Sequence, residues 1–379
     1  MDNTSDCRAM PEVDRTFFPD TIHWNNDELL IHSTGNDLSI WNIQDPAIPA
    51  EVANSDFQVG NLGDSDYDLL AWTACDDCRY GVATFKLGTV AFDLGTEAIP
   101  SFQNSHAHFQ YPQLDRTMTF SHQGHQYLVA GGIQNACGNG AGLFLFNGTD
   151  LDSLQLLECL EGSGGAALGS GGGLYLQHPE LNEGNAYIWL NVGLQVHIFR
   201  IGGAGDGLSL TYVATPPNMV ILRTDGLSVD LDNKVAITVG AYGTTELKTW
   251  QLLSLENPVQ VGSLTVQGTI ASLKFPLVWL AQFSETADGH SSHTVDISDP
   301  SAPQLKDDQF WSGDNPWNDL PCWGGEMGGV FSEDGSYLFL SRWEQLQKFD
   351  FRQCLGDPSI IFVGRFETGD SSEWSTTTN

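Results

Sequence analysis

One strand pattern returns seven times along this chain, and a repeat of that kind leaves few folds open. The pattern alternates, then closes on an aromatic or aliphatic residue before a polar step. It reads Leu38-Ser-Ile-Trp41-Asn-Ile43, Val90-Ala-Phe92-Asp-Leu94, Leu143-Phe-Leu-Phe146-Asn147 and Val196-His-Ile-Phe199-Arg-Ile201. It continues as Leu247-Lys-Thr-Trp250-Gln-Leu252, His293-Thr-Val295-Asp-Ile297 and Leu346-Gln-Lys-Phe349-Asp-Phe351. The closing residues Trp41, Phe92, Phe146, Phe199, Trp250, Val295 and Phe349 stand about 45–54 residues apart, the spacing of one propeller blade.

Each repeat has an apolar partner upstream: Leu29–Ile31, Leu69–Trp72, Tyr127–Ala130, Tyr187–Leu190, Val235–Val239, Leu277–Leu280 and Tyr337–Leu340. Short runs that are apolar throughout suit strands buried on both faces. Further short segments precede these partners, as at Thr117–Phe120, Leu174–Leu176 and Ala271–Lys274. Others follow the repeats, as at Pro258–Val261 and Ile360–Val363. Four strands repeated seven times predict an all-β chain, a seven-bladed β-propeller with four antiparallel strands per blade. A length of 379 residues would otherwise suggest two domains, but a closed repeat array adds core with every repeat. The expected division is an N-terminal segment over 1–20, the propeller over 21–366 and a polar C-terminal tail over 367–379.

The charge balance narrows the partners. The chain carries 15 basic and 48 acidic residues, a net charge of −33. Nothing would neutralise phosphates, so a general nucleic-acid binder is excluded. No apolar run of about 18 residues predicts a transmembrane segment. The polar start, Met1 to Asp6, carries no signal peptide and matches what a mature secreted protein with an added Met would show.

The seven cysteines are Cys7, Cys75, Cys78, Cys137, Cys159, Cys322 and Cys354. Several fall in loop-like stretches of a chain poor in Lys, which suits an oxidising compartment. No second Cys-x-x-Cys completes a zinc site with Cys75 and Cys78, so a local disulfide is expected there. Cys137 with Cys159, and Cys7 with Cys322, would pin neighbouring segments, leaving Cys354 as the odd thiol. Connectivity is not fixed by spacing.

Two segments, Trp41-Asn-Ile-Gln-Asp45-Pro46-Ala-Ile-Pro49 and Val295-Asp-Ile-Ser-Asp299-Pro300-Ser-Ala-Pro303, resemble the LVIVD-repeat propellers. In that family a strand like L-x-V-V-D-V runs into S-D-P-x-x-P. The resemblance implies a propeller of extracellular or surface type and no particular activity. The ending Phe366-Glu-Thr-Gly-Asp370-Ser-Ser-Glu-Trp374-Ser375 looks like those of many secreted proteobacterial proteins. Both resemblances imply an extracellular or cell-surface location of bacterial type.

Strand order divides the connections between two ends of the fold. With strands A to D counted outward, A–B and C–D turns leave one end, and B–C and D–A connections leave the other. The A–B turns read as short, at Asn25–Asp27, Asp232–Asn233 and Glu333–Gly335. Long insertions are expected on the other end: B–C near 75–87, 132–141 and 283–292, and D–A near 103–116, 160–171 and 306–327. Function concentrates on loops carried by a rigid scaffold.

Three groups of side chains on that end carry chemistry. His106 and His108, with Tyr111 and Arg116 following, could chelate a metal or serve as acid–base and anion-holding groups. Their bland reading is a polar rim loop. His290 and His293 lie in a Ser- and Gly-rich stretch and could complete a metal site with His106 and His108, or belong to a surface loop. Trp311, Asp314, Trp317, Asp319 and Trp323 combine aromatic platforms with carboxylates, an arrangement suited to sugar rings and equally to a packed plug. No Gly-x-Ser-x-Gly, His-Glu-x-x-His or phosphate-loop motif occurs. The glycine-rich run Gly162–Gly173 lacks the Lys-Ser or Lys-Thr of a nucleotide site.

The expected function is therefore a secreted or cell-surface binding module that takes a glycan or a protein on its long-loop end. A divalent ion, calcium or a His-bound transition metal, is a candidate cofactor. The alternative is a secreted polysaccharide lyase or hydrolase working through His106, His108, Tyr111 and Arg116.

Overall fold

The computed structural model describes residues 22–24, 29–34, 37–42, 50–54, 69–74, 80–85, 88–94, 102–108, 114–132, 142–150, 152–161, 168, 172–192, 194–221, 226–240, 246–266, 270–282, 291–307, 328–331, 335, 337–342, 345–350 and 363–366. Most of these residues are strand. They group into seven four-stranded antiparallel sheets, each made of four consecutive strands.

The first sheet holds β1 (Ile22–Trp24), β2 (Leu29–Thr34), β3 (Asp37–Asn42) and β4 (Ala50–Asn54). The second holds β5 (Leu69–Ala74), β6 (Tyr80–Phe85), β7 (Gly88–Asp93) and β8 (Gln103–His108). The third holds β9 (Leu114–His122), β10 (His125–Gly132), β11 (Gly142–Asn147) and β12 (Gln155–Cys159). The fourth holds β13 (Gly173–Leu176), β14 (Tyr187–Val192), β15 (Gln195–Gly202) and β16 (Ser209–Ala214), with α1 (Pro179–Asn182) between its first two strands. The fifth holds β17 (Leu227–Asp230), β18 (Val235–Val239), β19 (Glu246–Gln251) and β20 (Val259–Thr265). The sixth holds β21 (Ile270–Lys274), β22 (Leu277–Gln282), β23 (Ser291–Asp296) and β24 (Gln304–Asp307). The seventh holds β25 (Gly328–Phe331), β26 (Tyr337–Arg342), β27 (Gln345–Asp350) and β28 (Val363–Phe366).

First strands of neighbouring sheets lie against each other, β5 on β9, β9 on β13, β17 on β21 and β21 on β25. The first strands are therefore the inner ones, and the fourth strands are the outer edges. Burial follows this order. Every residue of β6 is buried, whereas outer strand β20 is half-buried or exposed throughout.

The core sits between sheets. Tyr80, Val82 and Ala91 pack with Leu128, Phe144 and Phe146 across the second seam. Phe120, Tyr127 and Leu143 meet Ile188, Leu190 and Phe199 across the third. Trp189 and Ile198 meet Ala236 and Trp250, and Ile237 and Leu247 meet Val278 and Leu280. On β10, Leu128 and Ala130 face back while Tyr127 and Val129 face forward. A second strand thus has no polar side, which is why these runs are apolar at every position. Each fully buried Phe or Leu contributes roughly 1.5–3 kcal/mol.

The closing residue of the repeat has a structural meaning. The ladder between third and fourth strands shifts register at Trp41, Phe146, Phe199, Trp250 and Val295. In the second sheet it shifts across Phe92. A β-bulge sits at each of these points, leaving an extra residue on the outer strand and increasing its twist.

Two expected insertions are strands instead. The stretch read as a loop over 75–87 contains β6, so Leu69–Ala74 is the first strand of its sheet and not the second. The stretch read as a loop over 103–116 begins with β8 and ends inside β9. The connection carrying Cys75 and Cys78 consequently attaches at the opposite end from the one expected. A buried strand apolar on both faces has no alternation to mark it, and Tyr80–Phe85 was hidden for that reason. Among the described residues no helix is long and apolar enough to cross a membrane.

Candidate functional face

The two ends of the sheets differ in how their polar groups are used. At the lower end, where first–second and third–fourth connections attach, neighbouring sheets are tied together. The Gly205 N–H donates to the Tyr127 Oη at 2.6 Å. Tyr187 donates its hydroxyl to Glu256 Oε1 at 2.5 Å, and burial, then the carboxylate, push its pKa up to about 12. Trp189 Nε1 donates to the Leu255 carbonyl at 3.0 Å. Asn147 Nδ2 donates to Asp206 Oδ1 at 2.7 Å, and the Thr249 hydroxyl donates to the Pro300 carbonyl. Lys234 Nζ reaches Glu180 Oε2 at 2.6 Å, which lowers the Glu180 pKa.

Two of these contacts come from one position of the repeat, which a third tyrosine shares. Tyr80, Tyr127 and Tyr187 each precede the residue that pairs with Phe92, Phe146 or Phe199. A Cβ on Gly148 would stand 2.4 Å from the Tyr80 Oη, so Tyr80 meets the third sheet as Tyr127 meets the fourth and Tyr187 the fifth. The lower end is thus largely committed to joining sheets.

The upper end carries the other connections. After β16 the chain turns back over the fourth sheet. Val196 N–H donates to the Met219 carbonyl at 3.2 Å, and Ile221 N–H to the Leu194 carbonyl at 3.1 Å. Met219 and Ile221 are fully buried and pin this segment. Lys248 Nζ donates to the Asn218 carbonyl at 3.2 Å and stands 3.6 Å from Glu246 Oε2.

Beside that segment, His197 Nδ1 lies 3.0 Å from the Thr215 Oγ1, which is 2.9 Å from the Tyr212 Oη. Burial lowers the His197 pKa, so the imidazole is neutral at neutral pH. This chain of hydrogen bonds can hold a hydroxylated ligand or pass a proton. It was not legible beforehand, because Thr215 is 18 residues from His197 and no motif joins them. Nearby, Asn191 is fully buried, and among the described residues neither atom of its amide has a partner. A buried amide left open is unusual enough to require an explanation.

By strand order the described ones among the expected site residues, His106, His108, Arg116 and His293, fall toward this upper end. His106 and His108 are in β8, an outer strand, and Arg116 is near the start of the inner strand β9. His108 is 3% exposed. His293 is in β23, paired with Leu280. Tyr111, His290, Trp311, Asp314, Trp317, Asp319 and Trp323 lie outside the described residues. The order of strands puts the His106 pair in the second sheet and His293 in the sixth. Among the described residues no three His, Cys, Asp or Glu side chains stand together as a metal site. Cys159 is disulfide-bonded, and since it is the only described cysteine its partner lies outside the described residues.

No family model and no curated protein matches the chain. Solved structures do resemble it. A protein assigned as a 6-phosphogluconolactonase from Bacteroides fragilis aligns with a TM-score of 0.54 and 11% identity, covering 94% of this chain and 96% of that one. Its counterpart from Bacteroides uniformis aligns with a TM-score of 0.55 and 10% identity, covering 89% and 95%. A chain of the mitotic checkpoint complex aligns with a TM-score of 0.54 and 10% identity, covering 89% and 90%. At these identities the likeness is one of fold alone, and that fold is all-β and propeller-like.

Proposed function

We propose that this chain is a closed seven-bladed β-propeller that works as an extracellular or cell-surface binding module. Its ligand is a glycan or a protein, engaged by the upper end. The carrying observation is the asymmetry between the ends. Among the described residues the lower end spends many polar groups on joining sheets, although His178 Nδ1 and Asn182 Oδ1 are buried there without a hydrogen-bond partner, while the upper end combines a buried open amide at Asn191 with a half-buried His197–Thr215–Tyr212 chain. The Trp311–Trp323 segment lies outside the described residues, and its aromatic and acidic side chains suit a sugar ring. The resemblance to LVIVD-repeat propellers supports a surface location.

Binding is favoured over polysaccharide cleavage by the burial of His108, which leaves little of it open to a substrate. A divalent ion, calcium or one bound through His106, His108, His290 and His293, remains part of the proposal and is checked by metal analysis of the purified protein. The central test is glycan-array binding by the wild-type chain and by a variant carrying Trp311→Ala, Trp317→Ala and Trp323→Ala. Binding to neutral sugars that the variant loses is the expected result. Equal binding by both proteins would sink the role given to the tryptophans.

A further inference from the structure

We propose that His122 and His125 form a two-point chelate for a divalent transition ion of the copper, nickel or zinc class. The site lies at the lower end, on the seam between the third and fourth sheets, and is independent of the upper-end reading. The strands β9 and β10 are joined by only Gln123 and Gly124, with φ of 50° and 80°. Such a turn brings its flanking residues into direct register, and His122 pairs with His125. Cross-strand partners share a face, with Cβ atoms about 4.5–5.5 Å apart. Two imidazoles at that spacing can reach one ion at about 2.0–2.1 Å each after side-chain rotation.

The surroundings prepare His125 for ligation. Its Nδ1 lies 3.4 Å from the Thr149 Oγ1. In the tautomer whose Nδ1–H donates to that hydroxyl oxygen, the Nε2 lone pair is left to bind an ion. Thr149 is itself positioned, accepting the Gln126 N–H at 3.1 Å. The Nε2 edge of the ring packs beside Gly205, where an added Cβ would stand 3.7 Å from Nε2, an ordinary van der Waals distance. Asp206 follows Gly205 and brings a negative charge to the same seam while its Oδ1 accepts Asn147 Nδ2. His122 is half-buried, and no hydrogen bond engages its ring among the described residues.

Imidazole donors select copper, nickel and zinc over calcium and magnesium. No third His, Cys, Asp or Glu completes the set among the described residues, so water or an added ligand fills the remaining positions. An open site of that kind suits an exchangeable ion more than a structural one.

The test titrates Cu²⁺ into chelator-stripped protein, read by calorimetry and by electron paramagnetic resonance. Variants are His122→Ala, His125→Ala and Thr149→Ala, each checked for wild-type circular dichroism. The expected result is one fewer bound ion in either hairpin variant and loss of a two-nitrogen signature. Thr149→Ala should weaken the same site by about 10-fold or more, as loss of a partner behind a ligand does. Equal uptake by wild type and both hairpin variants would overturn the proposal. So would retention of the two-nitrogen signature without His122.

Discussion

Tyr127 and Gly205 are joined across the seam of the third and fourth sheets, the glycine N–H pointing at the phenol oxygen at 2.6 Å. The same position of the repeat supplies Tyr80, which packs against Gly148 of the next sheet, and Tyr187, which donates to Glu256 of the next. Replacing Tyr127 by Phe removes that acceptor and the longer bond its hydroxyl donates to the Gly205 carbonyl at 3.5 Å. The expected loss is about 1 kcal/mol of stability, the net worth of such a bond. Urea unfolding of the two proteins measures it, and an unchanged midpoint would show that the phenol ring alone holds the seam.

Gly148 faces Tyr80 more tightly. A Cβ there would lie 2.4 Å from the hydroxyl and 2.9 Å from the ring carbon that carries it. Gly148→Ala should therefore destabilise by about 1–3 kcal/mol through overpacking. Gly124→Ala is a useful contrast, since no atom lies within 4 Å of a Cβ there and its cost comes from a φ of 80°. A melting temperature unchanged in Gly148→Ala would mean that the second and third sheets can separate without penalty.

The bulged residue of the sixth sheet makes an ion pair. Lys306 Nζ stands 2.9 Å from Asp296 Oδ2. The lysine, then the Ser298 N–H, lower the Asp296 pKa from 3.8 to about 2. A depressed folded-state pKa gives stability that is present above the unfolded value and lost as pH falls through the folded one. Acid unfolding curves should thus show a contribution fading between about pH 4 and pH 2 that Lys306→Met reduces. Parallel curves for the two proteins would rule the pair out as a source of acid sensitivity.

Cys159 is disulfide-bonded, and Cys137 is its proposed partner. If so, Cys137→Ser, Cys159→Ser and the double variant lose similar stability, about 2–4 kcal/mol. Peptide mapping without reductant identifies the bridge directly. A Cys159 peptide linked to any other cysteine would displace Cys137 from the assignment.

The sequence by itself determined the repeating unit. All seven closing-residue strands are third strands of their sheets, because alternation and an aromatic stop are local properties. Tertiary structure decided the rest. Tyr80–Phe85 has no alternation to read, and only its pairing with β5 and β7 made it a strand. The tyrosine ties need a neighbouring sheet's turn, 69 residues away for Tyr187 and Glu256. The pairing of His122 with His125 needs a two-residue turn of the right hand. Contacts across seams depend on how separate sheets pack, and no local pattern encodes that distance.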